Sequence, residues 1–182
     1  PEGHCASCRI LLPGNGDGTF GIQSDQAGGS YPQNVAVADF NEDGALDFVT
    51  ANFNGDSIAI RFGNGDGTFR PVSTIDLGYE TIEVTAVDLN GDHHIDFVTT
   101  SGGTQVPHLD VFLGNGDGTF GGPTAFQTHA SVGNNANEVV FGDLNGDGFL
   151  DAVVGNNGSS QTISVLLGKG DGTFDGVVNY ST

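Results

Sequence analysis

Three acidic stretches carry the side chains best suited to chemistry. Asp39 to Asp47, Asp88 to Asp96 and Asp143 to Asp151 all read Asp-x-Asn-x-Asp-x-x-x-Asp, at steps of 49 and 55 residues. Every donor in this pattern is an oxygen. Calcium takes about six to eight oxygens, and acids at the first, third and fifth positions of a tight loop, with a carbonyl at the seventh and an acid near the end, supply them. The first loop offers Asp39, Asn41, Asp43 and Asp47 with the carbonyl of Ala45, and the third offers Asp143, Asn145, Asp147 and Asp151 with the carbonyl of Phe149. The second offers Asp88, Asn90, Asp92 and Asp96, with His94 at the carbonyl position. The expectation is Ca2+ at about three sites. Gly44 and Gly148 suit the sharp bend, whereas His93 stands at that place in the second loop, where positive φ is uncommon for a non-glycine residue. A weaker or differently bent second site is expected.

Asp-Asn-Gly clusters are also ordinary turns. A turn needs one or two such residues, and each loop here has four oxygen-bearing side chains. Without a cation the carboxylates would repel one another, so calcium removal should loosen the fold. These are not EF-hands: no Glu closes the loop at its twelfth position, and strands rather than helices flank it.

The elements that hold the loops repeat with them. Gly-Asn-Gly-Asp-Gly-Thr-Phe occurs at Gly14 to Phe20, Gly63 to Phe69 and Gly114 to Phe120, and Gly-Lys-Gly-Asp-Gly-Thr-Phe at Gly168 to Phe174. Steps of 49, 51 and 54 residues match the loop period, so each unit carries one loop and one such motif. Within a unit, Val35 to Phe40, Leu46 to Thr50, Ser57 to Phe62 and Pro71 to Ile75 read as four short strands. The Asp-Gly pair joins the third to the fourth, because a tight hairpin needs positive φ where glycine is cheapest.

The acidic loops, the Phe62-Gly63 and Leu113-Gly114 junctions and the Gly-Asp-Gly-Thr-Phe hairpins together resemble FG-GAP/VCBS repeats, the calcium-binding blades of integrin-α-like propellers. The resemblance implies an all-β fold of β-propeller-type blades, each of four antiparallel strands. Three full blades, 34–79, 80–132 and 133–182, follow an N-terminal half blade with the cysteine pair, 1–33. A closed propeller has about four to eight blades, so the chain is not expected to close alone. It is expected to be a piece of a larger propeller, or to cover its exposed edges by joining further copies into a ring or fibre. Pro1 in place of Met agrees with a processed chain or a fragment.

Composition narrows the function. Asp+Glu number 23 against four Lys+Arg, a formal charge of −19 that would repel a phosphate backbone, so nucleic acid is not an expected partner. No apolar run reaches the ~20 residues of a membrane span. Cys5 and Cys8 form a C-x-x-C pair without the two further ligands of a zinc site, and a local disulfide or a link to a neighbouring chain is expected. Asn157 and Asn179 open N-glycosylation triplets. His93, His94, His108 and His129 read as scattered surface histidines, since no pair has metal-motif spacing. No nucleophile elbow, metalloprotease or phosphate-loop motif occurs, so an enzyme is not expected. The reading is a secreted or cell-surface calcium-binding repeat protein with a structural or adhesive role. The alternative is a lectin, for which Tyr31, Tyr79 and Tyr180 are the available tyrosine platforms. Glycans and surface proteins are the candidate partners.

Overall fold

The computed structural model describes residues 8–11, 14–21, 24–27, 29–103, 107–128, 135–158 and 161–181, with backbone alone for 8–11 and 24–27. Each sheet grows from one repeat. Strand β1 (Cys8–Leu11) pairs antiparallel with β2 (Ser24–Ala27). The next repeat gives β3 (Pro32–Ala38), β4 (Asp47–Asn52), β5 (Ser57–Arg61) and β6 (Ser73–Asp76), hydrogen-bonded in that order. A short 3-10 turn, Phe53–Gly55, links β4 to β5. The third repeat gives β7 (Thr81–Val87), β8 (Asp96–Ser101), β9 (His108–Phe112) and β10 (Thr124–Gln127). The last gives β11 (Asn135–Gly142), β12 (Asp151–Asn157), β13 (Thr162–Leu166) and β14 (Val178–Ser181). Among the described residues three four-stranded antiparallel sheets and one two-stranded sheet result, and they do not close into a barrel. The expected all-β, blade-type architecture is what forms.

Within each unit the acidic loop joins the first strand to the second, and the Gly-Asp-Gly-Thr-Phe turn joins the third to the fourth. Isolated bridges at Gly14–Phe20, Gly63–Phe69, Gly114–Phe120 and Gly168–Phe174 pin those turns. The Asp of each turn is structural: Asp17, Asp66, Asp117 and Asp171 accept the amide and hydroxyl of the Thr two residues on. The Thr side chain and amide hold all four carboxyls below the ordinary range.

The apolar cores lie between sheets. Ala36, Phe40, Val49, Ile58 and Ile60 of the first full blade pack with Val84, Phe97 and Phe112 of the second. Val98, Leu109 and Val111 of the second pack with Val139, Ala152, Val154 and Leu166 of the third. Phe97 is the aromatic centre, stacked on Phe112 at 4.5 Å and edge-on to Phe120 at 4.7 Å and Phe40 at 6.3 Å. β4 and β8 are buried at every residue. β12 in the last sheet is more open. The first strands β3, β7 and β11 also pack successively against one another.

Candidate metal loops and the residues around them

Each acidic loop is held by its own side chains. Asp39 accepts the amides of Asp43 (3.1 Å) and Gly44 (2.8 Å), Asn41 accepts that of Asp43 (3.1 Å), and Asp43 accepts that of Ala45 (2.9 Å). The same scheme recurs with Asp88, Asn90 and Asp92, and again with Asp143, Asn145 and Asp147. These amides keep Asp43 and Asp143 below the ordinary carboxylate range, led by the N–H of Ala45 and of Gly148 respectively. These two acids are ionised and oriented at neutral pH. Their oxygens accept one or two bonds each and keep lone pairs for a hard cation.

The second loop is not bent differently. His93 adopts φ +75° and donates its amide to Asp88 at 3.0 Å, as Gly44 (φ +86°) does to Asp39 and Gly148 (φ +91°) to Asp143. The hydrogen-bonded loop holds His93 in the left-handed region against its intrinsic preference. A second left-handed position two residues earlier was not evident from sequence. Gly91 and Gly146 occupy it in two loops, and Glu42, at φ +55°, in the first.

The closing acids stand apart from the other ligand candidates. Asp47, Asp96 and Asp151 are fully buried. One oxygen of each accepts an amide at the start of its loop, from Phe40 (2.9 Å), Leu89 (2.8 Å) or Leu144 (2.9 Å). The other accepts the first glycine of the following hairpin, Gly63, Gly114 or Gly168, each at 2.8 Å. Burial raises the Asp47 and Asp96 carboxyls; the two amides oppose that rise, and the neighbouring loop acids add to it. These carboxylates tie loop to hairpin. Among the described residues, no three His, Cys, Asp or Glu side chains are gathered closely enough to hold a metal ion.

Basic side chains meet two of the loops. Arg70 pairs with Asp43 at 2.7 Å and lies over the Phe62 ring, at a site where the other blades have Gly121 and Asp175. His94 Nδ1 reaches Glu42 of the preceding blade at 2.5 Å, and that bond raises its imidazole above the ordinary value.

His108 departs from the expectation of a scattered surface histidine. Its ring is largely buried, with Nε2 3.2 Å from Asp110 and Nδ1 2.8 Å from the Ser101 hydroxyl. The Tyr79 hydroxyl donates to the same Asp110 oxygen at 2.9 Å, and its ring meets His108 edge-on at 4.6 Å. Burial, followed by the Asp110 charge, raises the Tyr79 phenol. Tyr79 is therefore committed internally, whereas Tyr31 and Tyr180 are exposed. Asn157 and Asn179 are exposed, on β12 and β14, and the Asn179 amide oxygen meets the Ser164 hydroxyl. Cys5 and His129 lie outside the described residues, as does the side chain of Cys8.

The family described as FG-GAP-like repeat matches residues 39–99 and 88–154, spanning the acidic loops and the sheets between them. The chain belongs to the FG-GAP-like repeat family. No curated protein matches it. Among solved structures, an Agrocybe aegerita lectin is similar at 25% identity and a TM-score of 0.61, over 96% of this chain and 46% of that one. Its structure is described as the basis of specific recognition of non-reducing terminal N-acetylglucosamine. This FG-GAP-like chain thus spans less than half the length of the lectin, with a similar fold.

Proposed function

We propose that this FG-GAP-like array is a non-catalytic, extracellular calcium-binding module with a structural or adhesive role, whose copies join head to tail. The carrying observation is the threefold recurrence of one hydrogen-bonded loop that orients Asp, Asn and Asp oxygens. The donors are hard oxygens, as calcium prefers. Asp39, Asn41, Asp43 and the Ala45 carbonyl would hold the ion in the first loop, with their counterparts in the other two. The buried Asp47, Asp96 and Asp151 would anchor each of those loops to its hairpin. The bound ion would offset repulsion among the acids and brace the link between loop and hairpin. Extracellular modules bind calcium at roughly 10⁻⁴–10⁻³ M, and exposed acidic loops suit that range.

Calorimetric titration of the purified chain with calcium tests this reading. Saturable binding is expected, with one site lost in each of Asp43→Ala, Asp92→Ala and Asp147→Ala. No heat and no change in melting temperature at millimolar calcium would refute it.

Glycan binding is a second reading, favoured by the similarity to the N-acetylglucosamine-recognising lectin. A glycan array that includes terminal N-acetylglucosamine separates the two. Binding to defined sugars would put recognition first, and a blank array would leave the scaffold role.

A further inference from the structure

The first acidic loop carries a permanently charged partner from its own blade. Arg70 Nη2 donates to Asp43 Oδ2 at 2.7 Å, the short distance of a charge-assisted hydrogen bond. Asp43 is the fifth-position acid of the loop, and the same oxygen accepts the Asn41 side-chain amide at 3.0 Å. In the other two loops the equivalent oxygen, Oδ2 of Asp92 or Asp147, accepts the side-chain amide of Asn90 or Asn145 at 2.8 Å. Among the described residues, neither of those two acids pairs with a guanidinium or an ammonium.

The hairpin places Arg70 there. It follows Phe69 of the Gly-Asp-Gly-Thr-Phe turn, and its amide donates to the Phe62 carbonyl at 2.8 Å, the bond that Gly121 makes to Leu113 and Asp175 to Leu167. The three positions are thus equivalent in backbone and differ in charge: a base in the first full blade, a glycine in the second, an acid in the third. Asp175 in turn pairs with Lys169 of its own hairpin at 3.0 Å. The Arg70 guanidinium lies 5.9 Å from the centre of the Phe62 ring, and Arg61 Nη1 donates to the Arg70 carbonyl at 3.3 Å. Ring and backbone together hold the guanidinium against the loop.

We infer that Arg70 is a tethered counter-cation of the first loop, competing with calcium for Asp43 and holding this loop's affinity below what its oxygens alone would give. The inference rests on the calcium reading of the proposed function and adds a determinant of how readily one site fills. Asp43 would have to share one carboxylate between calcium and the guanidinium. If the guanidinium stays, the two positive charges repel, even in water. If it withdraws, it gives up its hydrogen bond and its place over Phe62. An open hollow of about 320 Å³, lined by Asp43, Ala45, Asn64 and Arg70 among others, leaves it room to withdraw. The Arg70 side chain is 49% exposed, so water and salt bound the effect. A loss of affinity of about tenfold is the expected size.

The test is calorimetric titration with calcium of the full chain carrying Asp92→Ala and Asp147→Ala, both at exposed positions, with folding checked by circular dichroism. The first loop is then the one acidic loop left unaltered. In that background Arg70→Gln, which removes the charge, is expected to tighten calcium binding about tenfold, and Arg70→Lys, which keeps it, to stay within about threefold of Arg70. Urea unfolding gives a second readout. Arg70→Gln should lower the midpoint slightly in chelator, where the loop loses its counter-cation, and should show a larger rise on adding calcium. Equal affinity with Arg70 and with Arg70→Gln would overturn the competition and leave calcium binding in place. Equal tightening by Arg70→Lys and Arg70→Gln would overturn it too, since charge would not be the cause. Binding by the unaltered chain that vanishes in the doubly substituted background, with and without Arg70→Gln, would remove the first loop as a site and overturn this inference alone. No binding by any of these chains would overturn the calcium reading and the inference together.

Discussion

Replacing Asp96 with Ala should destabilise the fold even when no calcium is present, unlike replacement of Asp92 in the same loop. The Asp96 carboxylate is fully buried and accepts the amides of Leu89 and Gly114, each at 2.8 Å. Removing it deletes two hydrogen bonds to a charged acceptor, worth about 1.5–3 kcal/mol each, and strands two amide donors. Relief from burying a carboxylate, seen in its raised titration, offsets part of that loss. The expected net cost is about 3–5 kcal/mol, a large share of the 5–15 kcal/mol typical of a domain. Asp92 is exposed, and its bonds are to the Asn90 side chain and the His94 amide. Asp92→Ala should cost only about 0.5–1 kcal/mol in chelator. Urea unfolding in chelator and in millimolar calcium reads both terms. Asp96→Ala should lower the midpoint under both conditions, and Asp92→Ala mainly in calcium. Equal effects of the two in chelator would refute the assignment of Asp96 as the link between loop and hairpin.

Gly114→Ala would place a Cβ 2.3 Å from the Ile95 carbonyl oxygen, and backbone cannot yield there as a side-chain end could, so a loss of about 2–3 kcal/mol or more is expected by thermal unfolding. His93→Gly relieves a left-handed histidine with an exposed side chain and should raise stability in chelator by about 0.5–1 kcal/mol. Burial raises the Glu83 carboxyl, so the protonated form fits the folded chain better than the unfolded one. Its contribution is full below the ordinary glutamate value of about 4.3 and is lost as pH rises through the higher folded value. Glu83→Gln keeps an acceptor for the Val139 amide, as Asn34 does for Val84, and should match wild type near pH 4 and exceed it increasingly toward neutrality. A constant offset across that range would show that the charge of Glu83 is not the cause.

Much of this molecule is written locally. A hairpin needs its left-handed glycines and its Asp-to-Thr bond within a few residues, so the four Gly-Asp-Gly-Thr-Phe turns could be placed by reading along the chain. The acidic loops are likewise closed by bonds spanning two to five residues, Asp39 to Gly44 among them. The number and type of sheets followed from the common period of these motifs. The all-β fold and the repeat family were therefore legible before any coordinates.

Longer-range roles were decided by the fold. Asp47 reads as one more ligand in its loop, yet its second bond goes to Gly63, 16 residues on, where the hairpin returns beside the loop. His108 looks like a stray surface histidine until β8, β9 and the turn before β7 bring Ser101, Asp110 and Tyr79 around it. The bonds from Asn34 to Val84 and from Glu83 to Val139 cross 50 and 56 residues. Sequence by itself determined which units repeat, because turns and loops are short-range chemistry. Which faces those units bury depended on packing one sheet against the next.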